Sequence, residues 1–145
     1  MIAVLVLHGP NLNLLGQREP KVYGTMSLDE INQRLESLGR DMGLDVRTFQ
    51  SNSEGELINR LHEAVNWERG VVFNPAGYTH TSVALRDAVA AISIPVVEVH
   101  MSNVQAREPF RQTSLIAPVC AGTIAGFGWY SYLLGLQALK TLIDE

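Results

Sequence analysis

The chain of 145 residues is poor in what several familiar chemistries require. It has a single cysteine, Cys120, which excludes an internal disulfide framework. Flanked by Ala117-Pro118-Val119 and Ala121, that thiol reads as a small core hydrophobe. The only lysines are Lys21, in a polar loop, and Lys140, near the C-terminus, so a buried Schiff-base amine is not in prospect. His8, His62, His80 and His100 lack the close spacings of zinc ligands, and no metal is expected. No Gly-x-Ser-x-Gly elbow supplies a hydrolase nucleophile. Gly122-Thr123-Ile124-Ala125-Gly126-Phe127-Gly128 lacks the Gly-Lys-Ser/Thr ending of a phosphate loop, and close helix–sheet packing accounts for its glycines. There is no run of like charge, and the net charge of −4 argues against a nucleic-acid partner. No apolar stretch reaches bilayer length, so no membrane partner is expected. The N-terminal apolar run is too short for a signal peptide and has no basic flank. A soluble cytoplasmic protein is the expectation.

What is present is a regular alternation. Hydrophobic residues at 46% and charged residues at 18% suffice for the core of one globular domain, taken as residues 1–145. Ile2–Leu7 is an all-apolar strand. Ser27-Leu28-Asp29-Glu30 is a capping box opening a helix with Ile31, Leu35, Leu38 and Met42 on its buried stripe and Gly43 as its stop. Leu44–Gln50 alternates as a strand. Ser53-Glu54-Gly55-Glu56 opens a second helix with Leu57, Leu61 and Val65 inward. Val71–Phe73 is a buried strand, Val83–Ile92 a helix and Pro95–Val99 a strand. A fifth strand lies near Val119–Ile124, and Tyr130–Ile143 closes the chain as a helix. Apolar strands alternating with helices imply a parallel sheet covered on both faces. The predicted fold is α/β: a flavodoxin-like, doubly wound, five-stranded parallel sheet.

In such sheets ligands bind beyond the carboxyl ends of the strands. The polar residues of this chain gather there. Strand one empties into residues 8–24, a long loop with Asn11, Asn13, Arg18 and Tyr23 among the bends Gly16, Pro20 and Gly24; His8 is expected to shape its entrance. Strand two ends in Gln50-Ser51-Asn52, strand three in Asn74-Pro75-Ala76 with His80, and strand four in His100-Met101-Ser102-Asn103. Four such ends are read as one site, although Asn74 and His80 taken alone are equally well turn residues. His62 falls on the second helix as a surface residue. The residue types suit acid–base chemistry on an anionic molecule. Arg18, Arg107 and Arg111 are carboxylate binders by type, the last two spaced by one helical turn. Tyr23 lies five residues from Arg18. Ionising a phenol at neutrality asks for roughly 4 kcal/mol of differential stabilisation, which a shielded guanidinium goes far to supply. Glu98 and His100 share a strand face, so the carboxylate either orients the imidazole or only supports local structure.

In these blocks the chain closely resembles the type II 3-dehydroquinate dehydratases, the dehydroquinases of the shikimate pathway to chorismate and the aromatic amino acids. The matching residues are Gly9-Pro10-Asn11-Leu12-Asn13 with Gly16, Arg18, Pro20, Tyr23 and Gly24; Gln50-Ser51-Asn52 with Glu54-Gly55; Asn74-Pro75-Ala76 with His80, Ser82 and Asp87; Glu98-Val99-His100 with Ser102-Asn103; and Arg107, Arg111 and Ser114. The resemblance implies a flavodoxin-like fold and reversible loss of water from 3-dehydroquinate, with neither cofactor nor metal. It implies that Tyr23 removes the C2 proton, Arg18 stabilises the tyrosinate and holds a lid, Asn11 positions a water at the enolate, and His100 protonates the departing C1 hydroxyl. Asn74, His80, Arg111 and the backbone at Met101 and Ser102 then bind substrate. The resemblance further implies that Asp87 reaches a neighbouring subunit's site within a trimer and that four trimers form a homododecamer. Two departures stand out: Gln112-Thr113 where histidines are common, and Ser131 where glycine is common. A flavin- or nucleotide-binding module, which the fold alone permits, and an inactive homologue are the competing readings.

Overall fold

The structure, a computed structural model, describes residues 1–17 and 19–145. Its elements are β1 (Ile2–His8), α1 (Pro20–Tyr23), α2 (Leu28–Asp41), β2 (Leu44–Gln50), α3 (Glu54–Trp67), β3 (Val71–Asn74), α4 (Val83–Ala91), β4 (Val96–His100), β5 (Gly122–Ala125) and α5 (Tyr130–Asp144). The five strands form one parallel sheet in the order β2-β1-β3-β4-β5, the expected flavodoxin-like winding. The reversal of order between β1 and β3 opens a crevice at their carboxyl ends.

Strand alternation divides the core. Val4, Val6, Val72, Val97 and Val99 face Ile31 and Leu35 of α2 and Tyr132, Leu136 and Leu139 of α5. Leu5, Leu7, Val71, Phe73 and Val96 face Leu57 and Leu61 of α3 and Leu85 and Val89 of α4. The helices begin where serine accepts from the backbone: Glu30 N–H donates to Ser27 Oγ at 3.2 Å, Glu56 N–H to Ser53 Oγ at 3.2 Å and Leu85 N–H to Ser82 Oγ at 2.9 Å. Each such cap contributes about 1 kcal/mol. Ser82 Oγ in turn donates to Glu54, tying α4 to α3.

Four local expectations give way. The third inward residue of α3 is Ala64, fully buried, whereas Val65 is exposed, because the stripe advances by three residues at that turn. The segment Ala117–Val119 is a 3-10 turn, and β5 begins only at Gly122; Pro118 lacks the N–H a ladder needs. Gly126 and Gly128 adopt φ of 103° and 60°, so a left-handed turn requires them rather than helix–sheet packing. His8 does not border a loop entrance. It is fully buried between the sheet and α2 and α5.

Candidate active site

The carboxyl ends of β1, β3 and β4 converge on a cavity lined by Pro10, Asn11, Leu12, Tyr23, Asn74, Ala76, Gly77, His80, His100, Met101, Ser102, Val104, Arg107 and Arg111. A second hollow abuts it, sharing His80, His100 and Arg111 and reaching Glu98, Thr79 and Ser114. Close approach of β1 to β3 makes this crevice: a Cβ at Gly9 would lie 2.5 Å from the Pro75 carbonyl oxygen, and Gly9 N–H donates to Asn74 O at 2.8 Å.

The end of β2 behaves differently from expectation. Gln50, Ser51 and Asn52 follow β2, an edge strand one position removed from the crevice, and none lines the cavity. They brace its rim. Asn52 Oδ1 accepts from Asn11 N–H at 2.9 Å and from Gln50 Nε2 at 3.1 Å, and Gln50 Nε2 also donates to Gly9 O at 3.1 Å. Those bonds hold Asn11 at φ 69°, a left-handed conformation asparagine tolerates better than most residues, so that residue faces the cavity.

Glu98 and His100 are two apart on β4, and the pleat places both on the α3/α4 face. Glu98 Oε2 lies 2.6 Å from His100 Nε2 and accepts from Thr79 Oγ1 at 2.8 Å. Ser114 Oγ donates across both carboxylate oxygens at 2.9 and 3.1 Å. Burial pushes the Glu98 carboxyl up, but the hydrogen bonds and charge of His100, with Thr79 and Ser114, outweigh it and hold the group below the usual carboxylate range. An ionised carboxylate accepts a hydrogen bond from Nε2–H, which leaves Nδ1 for the cavity that His100 lines. Of the two sequence readings of Glu98, the geometry favours orientation of the imidazole. Ser114 and Thr79 carry the carboxylate; sequence reasoning gave them no role, because an isolated hydroxyl has no spacing signal.

His80 packs over His100 with ring centroids 6.5 Å apart and 23° between planes. Its Nδ1–H donates to the Thr113 carbonyl at 2.8 Å, leaving Nε2 toward the site. Because a backbone carbonyl fixes this ring, the identity of the Thr113 side chain is immaterial. Gln112 and Gln105 exchange side chain–backbone bonds at 3.1 and 3.3 Å, which splints the same loop. The other departure, Ser131, is fully buried and its Oγ accepts from Phe127 N–H at 3.0 Å, securing the turn before α5.

Arg107 and Arg111 do not sit one turn apart on a helix. They fall on and beside two short 3-10 turns, Val104–Ala106 and Pro109–Gln112, with the break at Glu108-Pro109. Arg111 lines the cavity and pairs with Glu108 at 3.0 Å. Arg107 Nη1 donates to Tyr23 Oη at 2.8 Å and its guanidinium lies 5.3 Å from the Tyr23 ring centroid. A cation therefore contacts the phenol directly. Sequence proximity had drawn attention to Arg18, five residues away, whereas Arg107 is brought in by the fold from 84 residues on. Arg18 lies outside the described residues. Met101 and Ser102 are buried at the lip of β4.

Asp87 does not line the cavity. It stands on α4 with an exposed carboxylate, 3.1 Å from Arg86. His62 is on the exposed side of α3, as expected. Cys120 is half-buried against the α3/α4 core, and burial with the nearby Glu98 charge pushes its thiol up to about 12. Among the described residues, no three His, Cys, Asp or Glu side chains gather as a metal would require, and no helix is long and apolar enough to cross a membrane.

The family model for dehydroquinase class II matches residues 2–140. The chain is 60% identical over 142 residues to a 3-dehydroquinate dehydratase of Desulforudis audaxviator, covering 98% of this chain and 95% of that one. It is 60% identical over 141 residues to the enzyme of that name from Synechocystis, covering 97% and 93%. Among solved structures, the type II dehydroquinase of Propionibacterium acnes superposes with a TM-score of 0.92 at 41% identity, covering 100% of this chain and 98% of that one. The type II dehydroquinase of Butyrivibrio crossotus superposes with a TM-score of 0.94 at 41% identity, covering 96% and 97%.

Proposed function

The chain belongs to the class II dehydroquinase family, and from that membership and its site we infer that it is a hydro-lyase converting 3-dehydroquinate to 3-dehydroshikimate in the shikimate pathway. The observation that carries the reading is the pairing of a phenol held by a guanidinium with an imidazole held by a buried carboxylate, on one cavity. That is one base and one acid, each with its own charged partner, which a β-elimination needs.

In the proposed reaction Tyr23, as phenolate against Arg107, takes the proton from C2, beside the C3 ketone. The electron pair moves into the carbonyl to give an enolate, with Asn11 placed to hold a water at the developing oxyanion. His100 then donates its Nδ1 proton to the C1 hydroxyl. The C–O bond breaks, water leaves, and the pair from the enolate closes the C1–C2 double bond. Glu98 stabilises the imidazolium form that this transfer requires. Asn74, His80, Arg111 and the backbone at Met101 and Ser102 bind the substrate's oxygens. Arg18 is assigned from the family resemblance alone, as a second partner of the tyrosinate. No step calls on a cofactor or metal.

Residues 1–145 are taken as one catalytic domain, since both halves of the core flank a single sheet. We place it in the cytoplasm as a homododecamer of four trimers. Support for assembly comes from Asp87, a residue of the family pattern that is exposed and does not line its own cavity, as a group serving a neighbouring subunit would be. Light scattering with activity across a dilution series tests this; a fully active monomer contradicts it. The activity itself is tested by the ultraviolet absorbance of the conjugated enone product. A yellow, flavin-bearing protein that leaves 3-dehydroquinate unchanged would sink the reading in favour of a binding module.

A further inference from the structure

We infer that Tyr132, His8 and Asn32, none of which lines the reaction cavity, are positioning residues that fix Asn74 as a hydrogen-bond donor to the substrate. This rests on the dehydratase reading and adds to it a specificity device built from the opposite face of the sheet.

His8 and Asn74 are register partners on β1 and β3, so their side chains stand next to each other on the α2/α5 face. Tyr132, from the first turn of α5, closes over both. Asn74 Oδ1 accepts from Ala76 N–H at 3.0 Å. That bond comes with Ala76 at φ 53°, a left-handed conformation that alanine adopts only under constraint. Flipping the Asn74 amide would set NH2 against N–H, so Oδ1 is committed and Nδ2 is the atom left to act.

From Nδ2 each direction follows from the last. Nδ2 donates to Tyr132 Oη at 2.9 Å. The phenol therefore accepts there and gives its one hydrogen to His8 Nδ1, at 2.8 Å. The imidazole then carries its proton on Nε2 and donates to Asn32 Oδ1, at 2.8 Å. His8 and Tyr132 are fully buried and Asn74 is 3% exposed. Burial holds His8 neutral, down to about 4, which keeps Nδ1 an acceptor at neutral pH. Such a chain has one direction throughout, and its end is an Asn74 N–H left for the cavity that Asn74 lines. That position accepts a ligand oxygen with a free lone pair and rejects a donor.

Replacing a whole buried polar network by apolar residues of like size is often neutral or stabilising, so stability alone does not account for this one. A purely structural network and a positioning one predict different kinetics, and a double-mutant cycle separates them. Tyr132→Phe, Asn74→Ala and the double variant are assayed for KM and kcat with 3-dehydroquinate, with a thermal melt for each. Tyr132→Phe is expected to raise KM about tenfold, the size of one misdirected hydrogen bond, with kcat within about threefold of the parent. In the Asn74→Ala background the same change should leave KM where Asn74→Ala alone puts it.

Asn32 offers a second route that spares the core. Asn32→Leu removes the acceptor of His8 Nε2–H and should raise KM in the same way. Asn32→Gln keeps a neutral amide acceptor and should restore KM to within about twofold of the parent. KM effects of Tyr132→Phe and Asn74→Ala that multiply, or a lowered melting temperature with KM unchanged, overturn the inference. If Tyr132→Phe does not fold, the Asn32 pair decides, and equal KM for the leucine and glutamine variants overturns it. A parent protein without turnover would instead sink the dehydratase reading, and this one with it.

Discussion

Replacing Glu98 by glutamine alters one oxygen and one charge in a site where every contact is known. The carboxylate is 1% exposed and receives Thr79 Oγ1, His100 Nε2 and Ser114 Oγ at 2.6 to 3.1 Å. The hydroxyls of Thr79 and Ser114 can turn to accept from an amide. The imidazole cannot hold a proton on Nε2 against an N–H, and with the amide oxygen toward it the bond survives without its charge. A hydrogen bond to a charged partner contributes roughly 1.5–3 kcal/mol. If that stabilisation supports the imidazolium in the rate-limiting proton transfer, kcat falls by on the order of ten- to a hundredfold, with KM changed less. Progress curves of enone absorbance at neutral pH give both constants, and a thermal melt shows whether the variant is folded. The sign of its acid behaviour is also fixed. Glu98 is held below its ordinary value near 4.5, so its ionised form adds stability that is complete above that value. This contribution is lost as pH falls through the lowered folded value. The stability gap between parent and variant should therefore narrow in acid. A folded Glu98→Gln protein with kcat within about twofold of the parent would refute the role given to the carboxylate.

Tyr23→Phe removes the base but keeps the ring beneath Arg107, and turnover should drop by at least about a thousandfold with substrate binding retained; near-normal turnover in a folded variant would dismiss the assignment. His100→Ala should slow dehydration strongly yet still permit exchange of the C2 proton with deuterated solvent, read by mass spectrometry, whereas Tyr23→Phe should lose both. The reverse pattern would exchange the two roles. Buried His8, neutral down to about 4 in the fold against 6.5 in the unfolded chain, makes stability decline as pH drops between those values and level off below. The loss amounts to about 3 kcal/mol. Urea melts at pH 7 and pH 4.5 should show the decline in the parent and little of it in His8→Gln.

Sequence served best where the signal is local. Ser27 and Ser53 cap α2 and α3 where their capping boxes place them, although Glu56 reaches Ser51 at 2.5 Å rather than closing back on its own cap. The apolar strands were equally plain, as were the polar carboxyl ends, three of which meet at the cavity. What stayed hidden is set by lateral neighbours. Nothing in Gln50-Ser51-Asn52 tells that β2 is an edge strand whose end falls short of the crevice. His8 follows an apolar strand in the same way whether it faces a loop or a core; only Tyr132, 124 residues away, decides. Arg107 and Arg111 fit a helical spacing, but the Glu108-Pro109 step between them forbids the helix. The contact of Arg107 with Tyr23 crosses 84 residues and has no sequence periodicity to announce it.

The two halves of the reaction apparatus are anchored unequally. His100 ends β4, a strand whose five residues are all buried in the sheet. Tyr23 ends α1, four residues with none buried, set between Gly16 and Gly24, both in left-handed conformations. Amides of β4 open only with the whole domain, while those of α1 open through a local excursion of far lower free energy. Mild denaturant or a brief protease exposure should therefore silence the enzyme while its circular dichroism is still that of the native fold. Residual activity in such a sample counts molecules with α1 seated, not molecules that are folded.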